Sequence, residues 1–511
     1  MPQAPNVTKP IRVPSWPLAR MLPFMQGRRF TFGRLRTAVL AAVLSACALL
    51  AGGAAPALAS KTMWSIFEDH PYVVQTDPAT RQATLDEIQR LGADTLRVEI
   101  KWNEVAPSSY SRKRPRFNAT DPSAYPGFGP YDSTVQSATA RGMRVLITLT
   151  GDSPRWATSG GRGGNYKPNA GDYARFVTAA AKRYSGRFGG LPKVSYFTLW
   201  NEPNHVQFMK PTSQAPIVYR ALVNAGLPAL RRAAPGAKVF VGELKPSPRK
   251  GYGPLKFMQR WLCLDGRFKR LRGRAARKLG CRHFKKVKAD GFAMHPYGPV
   301  GLVSGKKDII NLLAIKRLAK ALDRAARAGR LRGHLPIYNT EFGIQTNPPD
   351  IFVSTTPGRQ ARLINEKEEY AYRYSRLKSH SQYQLYDDPG RPGPAAVKWS
   401  GFQTGLRFAN HTAKPSLDAY SFPIVVHKRG GRVSIWGRVR PGKGTRYVQL
   451  QRQSGSRFVD SGGRIGTNSL GYFSARPSAG NYRFLAYARD TTTGASQLTL
   501  LGNSRTATPI P

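Results

Sequence analysis

The stretch Tyr196-Phe197-Thr198-Leu199-Trp200-Asn201-Glu202-Pro203-Asn204 runs from a short apolar, aromatic and β-branched segment straight into a carboxylate and a proline. Such a run reads as a buried strand, and Pro203 ends it, so Glu202 stands at a strand's C-terminal end. Helical spacing flanks it on both sides, over Ala170–Tyr184 and Pro216–Ala234, which makes it one βα unit among several. Similar strands are expected at Thr62–Phe67, Thr95–Lys101, Arg144–Thr150, Tyr196–Asn201, Lys238–Glu243, Gly291–His295, Pro336–Glu341 and Gln382–Tyr386. Further helices are expected at Pro78–Leu91, Ile310–Ala328 and Pro357–Ser379. Eight such units over about 330 residues suit a (β/α)8 TIM barrel with insertions better than an open sheet. After Tyr420 the pattern changes to alternating strands with Gly-rich turns, as in Arg432–Val439, Tyr447–Gln451, Gly471–Arg476 and Tyr482–Ala488. The expected organisation is a leader over 1–59, an α/β barrel over 60–421 and a small all-β sandwich over 422–511.

The leader reading rests on Arg28, Arg29, Arg34 and Arg36, followed by the apolar run Thr37–Leu50 and the small-x-small site Ala57-Leu58-Ala59. A signal peptide cleaved before Ser60 and a secreted protein follow. Leu44-Ser45-Ala46-Cys47 offers the alternative of a lipid anchor at Cys47. The leader holds seven basic and no acidic residues, so its loss takes the formal charge from +52 to +45. The apolar run is shorter than the roughly twenty residues a membrane span needs, and no transmembrane span is expected in the mature chain. Once Cys47 leaves, Cys263 and Cys281 remain as an even pair in an oxidising compartment; a disulfide is expected, with two unpaired buried thiols as the alternative.

A second string, Ile337-Tyr338-Asn339-Thr340-Glu341-Phe342-Gly343, ends the expected seventh strand in another carboxylate, 139 residues after Glu202. The C-terminal ends of strands four and seven face one another across a barrel mouth, where barrel enzymes carry their chemistry. Together the two strings resemble the retaining glycoside hydrolases of clan A, particularly families 5 and 39. The resemblance implies a β-glycosidase in which Glu202 is the general acid/base and Glu341 the nucleophile. It implies supporting roles for Arg97, in Leu96-Arg97-Val98-Glu99, and for Tyr297, in Met294-His295-Pro296-Tyr297, both bonding the nucleophile. Asn201 matches the asparagine that meets the sugar 2-hydroxyl, and His295 is expected to line the sugar site. The clan's tryptophan at the end of strand eight is missing from Gln384-Leu385-Tyr386-Asp387-Asp388, so Tyr386 or Trp399 is expected in its place. Trp102, Trp156 and Trp200 are further candidates for stacking on sugar faces.

Eighty Lys+Arg against 28 Asp+Glu point to acidic polymers as partners, and Arg267–Lys288 alone holds eleven basic residues. For that stretch an ordinary solvated loop is the favoured reading, with a docking surface for acidic polysaccharide or cell-wall polymer as the alternative; a carbohydrate substrate is the expected partner of the barrel mouth. No nucleic-acid motif accompanies the charge, and no specific nucleic acid is expected. The sequence shows no zinc spacing, phosphate loop or calcium loop, and a two-carboxylate hydrolysis needs no cofactor or metal. The competing reading is a non-catalytic cell-surface glycan-binding protein built on a decayed barrel.

Overall fold

The computed structural model describes residues 62–247, 251–298, 305, 307–429, 432–441, 446–490, 497–500 and 505–506. The expected signal peptide, Cys47 and the Ala57-Leu58-Ala59 site lie outside them. Strands β1 Trp64–Glu68, β2 Thr95–Lys101, β3 Arg144–Thr150, β4 Tyr196–Leu199, β5 Lys238–Leu244, β6 Gly291–Met294, β7 Ile337–Asn339 and β8 Ser379–Tyr383 pair in parallel in chain order, with β1 also against β8. The Ile337–Leu377 bridge draws β7 and β8 together, Ile337 N–H donating to Arg376 O and Lys378 N–H to Ile337 O. This is the TIM barrel expected from the repeating βα pattern.

Alternation along each strand sorts its side chains. On β2, Leu96, Val98 and Ile100 are buried in the core between sheet and helices, while Arg97 enters the barrel interior. The interior is layered. Trp64, Tyr196, Phe240 and Tyr338 form an apolar plug with Ile66, Leu146 and Ala293, and Phe240 stacks on Tyr338 with ring centroids 4.0 Å apart. Nearer the C-terminal strand ends, Arg97, Thr148, Thr198 and Glu243 form a polar layer. The outer helices carry ordinary end signals. In Ala170–Arg183, Asn169 accepts from Asp172 N, Lys182 and Arg183 occupy the last turn, and Tyr173, Phe176 and Val177 are buried.

The eighth strand lies three residues before its expected place at Gln382–Tyr386. Ser379, Ser381 and Tyr383 stand in register with Trp64, Ile66 and Glu68. The N–H groups of Leu385 and Tyr386 instead donate to the Asp69 carboxylate, at 2.9 and 3.2 Å, and leave the ladder.

Beyond the barrel, β9 Ile424–Arg429, β10 Arg432–Arg438 and β14 Tyr472–Ala475 make one antiparallel sheet. A second contains β11 Arg446–Ser454, β12 Arg457–Asp460, β13 Ile465–Gly466, β15 Tyr482–Asp490, β16 Gln497–Leu500 and β17 Arg505–Thr506. The two sheets share a core of Ile424, Val426, Ile435, Val448, Leu450 and Phe484. Barrel and sheets form one compact unit, since Val425, Trp436 and Tyr472 belong to the barrel's own hydrophobic cluster. Between them Glu368 Oε1 accepts from Arg438 (3.1 Å), Arg440 (2.8 Å) and Tyr472 (3.2 Å), all buried. Cys263 and Cys281 are joined in a disulfide. No helix among the described residues is long and apolar enough to cross a membrane.

Candidate active site

After Leu199 the backbone turns sharply, with Trp200 at φ +73 and Glu202 at φ +37. Left-handed conformations cost a non-glycine residue of order 1–3 kcal/mol and gather at sites where geometry matters more than stability. Contacts on both sides hold the turn: Trp200 N–H donates to Leu149 O at 3.0 Å and Glu202 N–H to Glu243 O at 3.0 Å. A third such residue, Glu243 at φ +43, follows Gly242 at φ +106 in a bulge of β5. A Cβ on Gly242 would come within 2.7 Å of Ala293 O, so only glycine fits. The bulge turns the Glu243 side chain toward Arg97.

Arg97 is the hub of the interior. Its Nη1 donates to Glu341 Oε2 at 3.0 Å and to Glu68. Its Nη2 donates to Glu243 Oε2 (2.8 Å), Glu99 (3.0 Å) and Asn201 Oδ1 (3.0 Å), and its Nε to Thr148 (3.2 Å). Burial opposes the guanidinium's charge, but the four carboxylates outweigh it and hold Arg97 firmly protonated. One cation cannot satisfy four carboxylates equally. Burial drives Glu68 well above the ordinary carboxylate range against the pull of Arg97, and raises Glu99 as well.

Glu341 accepts from Tyr297 through its other oxygen, at 2.9 Å. Burial and the negative charge of Glu341 push the Tyr297 phenol far up, so it stays a donor. His295, fully buried, places Nδ1 3.0 Å from Glu202 Oε1 and 3.4 Å from Glu341 Oε2, with Nε2 3.9 Å from Glu243 Oε2. Burial lowers the imidazole's basicity, yet Glu341, Glu202 and Glu243 together raise it above its usual value. The converse holds at Glu202: burial favours the neutral acid, but His295, then His205 and Lys245, bring it below the usual range. The opposed shifts place the proton of this pair on His295.

Oxygens of Glu202 and Glu341 and a ring nitrogen of His295 all lie within 4.8 Å of one another. Among the described residues this trio is also the one cluster with a donor set for a metal ion, though the Arg97 guanidinium already supplies a cation at Glu341.

Glu202, Glu341, Arg97, Asn201, His295 and Tyr297 thus gather at the mouth, while the expected aromatic platforms do not. Trp102 is fully buried and stacks on Phe176 at 5.5 Å. Trp200 is fully buried against Tyr173, its Nε1 donating to Phe208 O. Trp156 is buried against Trp102 and Phe117. Tyr386 packs on Tyr72 and His411, and after burial its phenol is raised chiefly by Glu87. Trp399 stays in its loop, beneath the Lys398 ammonium. The shift of β8 instead puts Tyr383 at the strand's end. Its phenol is raised first by burial and next by Glu341 and Glu68. Phe402, partly exposed, lies edge-on to Tyr383 at 4.9 Å and 6.2 Å from Tyr297, in the position Trp399 was expected to fill. Glu68, Glu99, Glu243, Tyr383 and Phe402 were not anticipated from the sequence. Of these only Glu99 had a signal that could have found it, its place two residues after Arg97 on the same strand face.

Similar solved structures include a glucosidase from Croceicoccus marinus, 12% identical over 82% of this chain and 94% of that one, with a TM-score of 0.49. A family 39 glycoside hydrolase from Bacteroides cellulosilyticus WH2 is 15% identical over 83% and 80%, with a TM-score of 0.45. An endo-1,4-beta-mannanase from Rhizomucor miehei is 16% identical over 70% and 95%, with a TM-score of 0.41. No curated protein matches in sequence. Residues 59–374, more than half of the chain, match the family described as Cellulase (glycosyl hydrolase family 5). The chain belongs to glycosyl hydrolase family 5 and is a glycosidase, which sets aside the non-catalytic reading.

Proposed function

We propose that the protein is an exported, retaining β-glycosidase that cleaves an oligo- or polysaccharide by double displacement. Glu341 acts as nucleophile and Glu202 as general acid/base. The observation that carries this reading is the approach of the two carboxylates, whose nearest oxygens lie within 4.8 Å. Retaining enzymes hold such a pair about 5–5.5 Å apart, whereas inverting enzymes leave about 6.5–9.5 Å for a water. Arg97 and Tyr297 each bond one oxygen of Glu341, which aims the carboxylate for attack on the anomeric carbon. As the glycosidic bond breaks, its oxygen takes a proton from Glu202. His295 supplies that proton beforehand: when substrate displaces water from Glu202, Nδ1–H passes its proton across the 3.0 Å bond, leaving a neutral imidazole and a carboxylic acid. Glu202 then acts as base for the water that releases the product. The family description, Cellulase, favours a β-linked polysaccharide.

Removal of the two glutamates separates their roles. Glu341→Gln lowers turnover by more than about a thousandfold for every leaving group. Glu202→Ala spares activated aryl leaving groups, and azide restores its turnover. A fluorosugar labels Glu341, and NMR finds the β-configured product. Label on another carboxylate, or an inverted product, refutes the assignment. Export is tested by mass spectrometry, with an N-terminus at Ser60 expected and a lipidated Cys47 against it.

A further inference from the structure

The segment Arg267–Lys288 is an αβ connection, lying between the helix Pro254–Trp261 and β6. It therefore returns the chain to the N-terminal ends of the strands. Asp290 N–H donates to Val239 O next to the start of β5, and Val287 bridges Leu331 shortly before β7. Glu202 and Glu341 follow the opposite ends of β4 and β7. The basic stretch and the carboxylate pair thus sit at opposite ends of the barrel axis.

Two cavities open at the basic end. One, of about 760 Å³, is lined by Arg267, Lys269, Arg270, Arg272, Arg324 and Arg327 around Asp265. The other, of about 610 Å³, has Lys285, Lys286, Lys288, Arg231 and Arg332 around Asp290. Neither carboxylate neutralises its cavity. Asp265 accepts from the N–H groups of Arg267 and Lys269 in its own loop, and Asp290 is already held by Arg231 at 3.0 Å. Arg267, Lys269, Arg272, Arg324 and Arg327 are exposed and form no ion pair among the described residues. Arg330 lies between the two groups, accepting from Val287 N–H through its carbonyl and stacking on Phe284. Burial, followed by the charge of Arg270, holds its guanidinium below the ordinary value. The Cys263–Cys281 disulfide and the bond from Arg270 Nε to Ala328 O brace the loop, so little ordering remains to be paid on binding.

The shape of this end selects among polyanions. Its arginines offer planar forks suited to carboxylates or sulfates spaced along a chain. Among the described residues that line the two cavities the one aromatic, Phe268, is buried, and the half-buried ring of Phe284 close by is covered by the Arg330 guanidinium, so neither offers a free face for nucleic-acid bases to stack on. The large exposed apolar side chains of the described residues, such as Ile351, Phe352 and Val459, lie elsewhere, so this end lacks the anchors of a membrane-inserting face.

We propose that the basic end of the barrel is a docking site for acidic polysaccharide, which holds the glycosidase on an anionic glycan while its mouth stays free. The site goes beyond the hydrolytic reading and stands independently of it. Polygalacturonate serves as the probe, and binding of the full exported protein is measured at low and high salt. The five-fold variant Arg267→Ser, Lys269→Ser, Arg272→Ser, Arg324→Ser, Arg327→Ser is expected to bind at least about tenfold more weakly, with a shallower salt dependence. Its hydrolysis of an aryl β-glycoside should be unchanged, which also shows that it folds. A control removes five exposed cations from the sheets, Lys428, Arg429, Arg432, Arg452 and Arg457. Equal losses in both variants would assign binding to net charge, and no loss in the first would place it elsewhere on the protein; either result overturns the proposal. Tighter binding of duplex DNA or anionic vesicles through the same five residues overturns the polysaccharide assignment. Docking without hydrolysis of any glycoside would sink the proposed function alone.

Discussion

Glu243 lies behind the proton-bearing pair of the site: its Oε2 bonds Arg97 and stands 3.9 Å from His295 Nε2, while its Oε1 is buried without a partner. Its negative charge helps raise the basicity of His295. Glu243→Gln removes that charge, so the imidazole loses its proton at lower pH. On the proposed mechanism activity needs one proton shared by His295 and Glu202, and the alkaline limb of kcat/KM is therefore expected to move to lower pH. A pH profile on an aryl glycoside reads the shift; a lowered rate with an unmoved limb would give Glu243 a structural role only. The sequence does not betray this residue. Regular alternation through Phe240 and Gly242 would point Glu243 away from the interior, and only the bulge at Gly242 reverses it. Glu202, Glu341 and Tyr297 were legible because each stands in or beside a strand-end string that names its place, and Arg97 because it interrupts the apolar run of β2 with a charge.

At the scale of elements, the helix Pro357–Arg373 carries Glu368 into the seam between barrel and sheets. Burial opposes its charge, but Arg440 and Arg438 outweigh burial and hold its pKa below 4.5. Glu368→Gln leaves two buried guanidinium groups without a counter-ion, an expected loss of about 3–5 kcal/mol in urea unfolding at neutral pH. A depressed carboxylate contributes its stability above its unfolded value and loses it as pH falls through the folded one. The gap between wild type and variant should narrow below pH 4.5. A gap that stays constant with pH would assign the loss to packing. The same region explains why β8 was misplaced. Ser379-His380-Ser381-Gln382-Tyr383 lacks the apolar signature of a barrel strand because two of its inward residues are serines and His380 faces the polar seam. Leu385 and Tyr386 look more strand-like, yet their N–H groups belong to Asp69. Strands whose partners are polar leave little for periodicity to find.

Across the whole molecule, the sheets complete the barrel's core. Val425, Trp436 and Tyr472 lie in its hydrophobic cluster, and Arg440 reaches β1 at Ser65 as well as Tyr420 O. A barrel ending at residue 421 would expose that surface, and it is expected to melt roughly 5 °C or more below the full chain by calorimetry, or to aggregate. Equal melting would show that the sheets are an appendage. The change of pattern after Tyr420 made the second fold type visible in sequence; the shared core was not visible, since buried Arg438 and Arg440 read there as surface charge. The opposition of mouth and basic loop along the barrel axis has a consequence for the proposed docking. If the basic end is held on a glycan strand as proposed, the cleft points away from that strand. The enzyme would then graze on neighbouring strands and leave its own foothold uncut, so attachment and digestion would not undo one another.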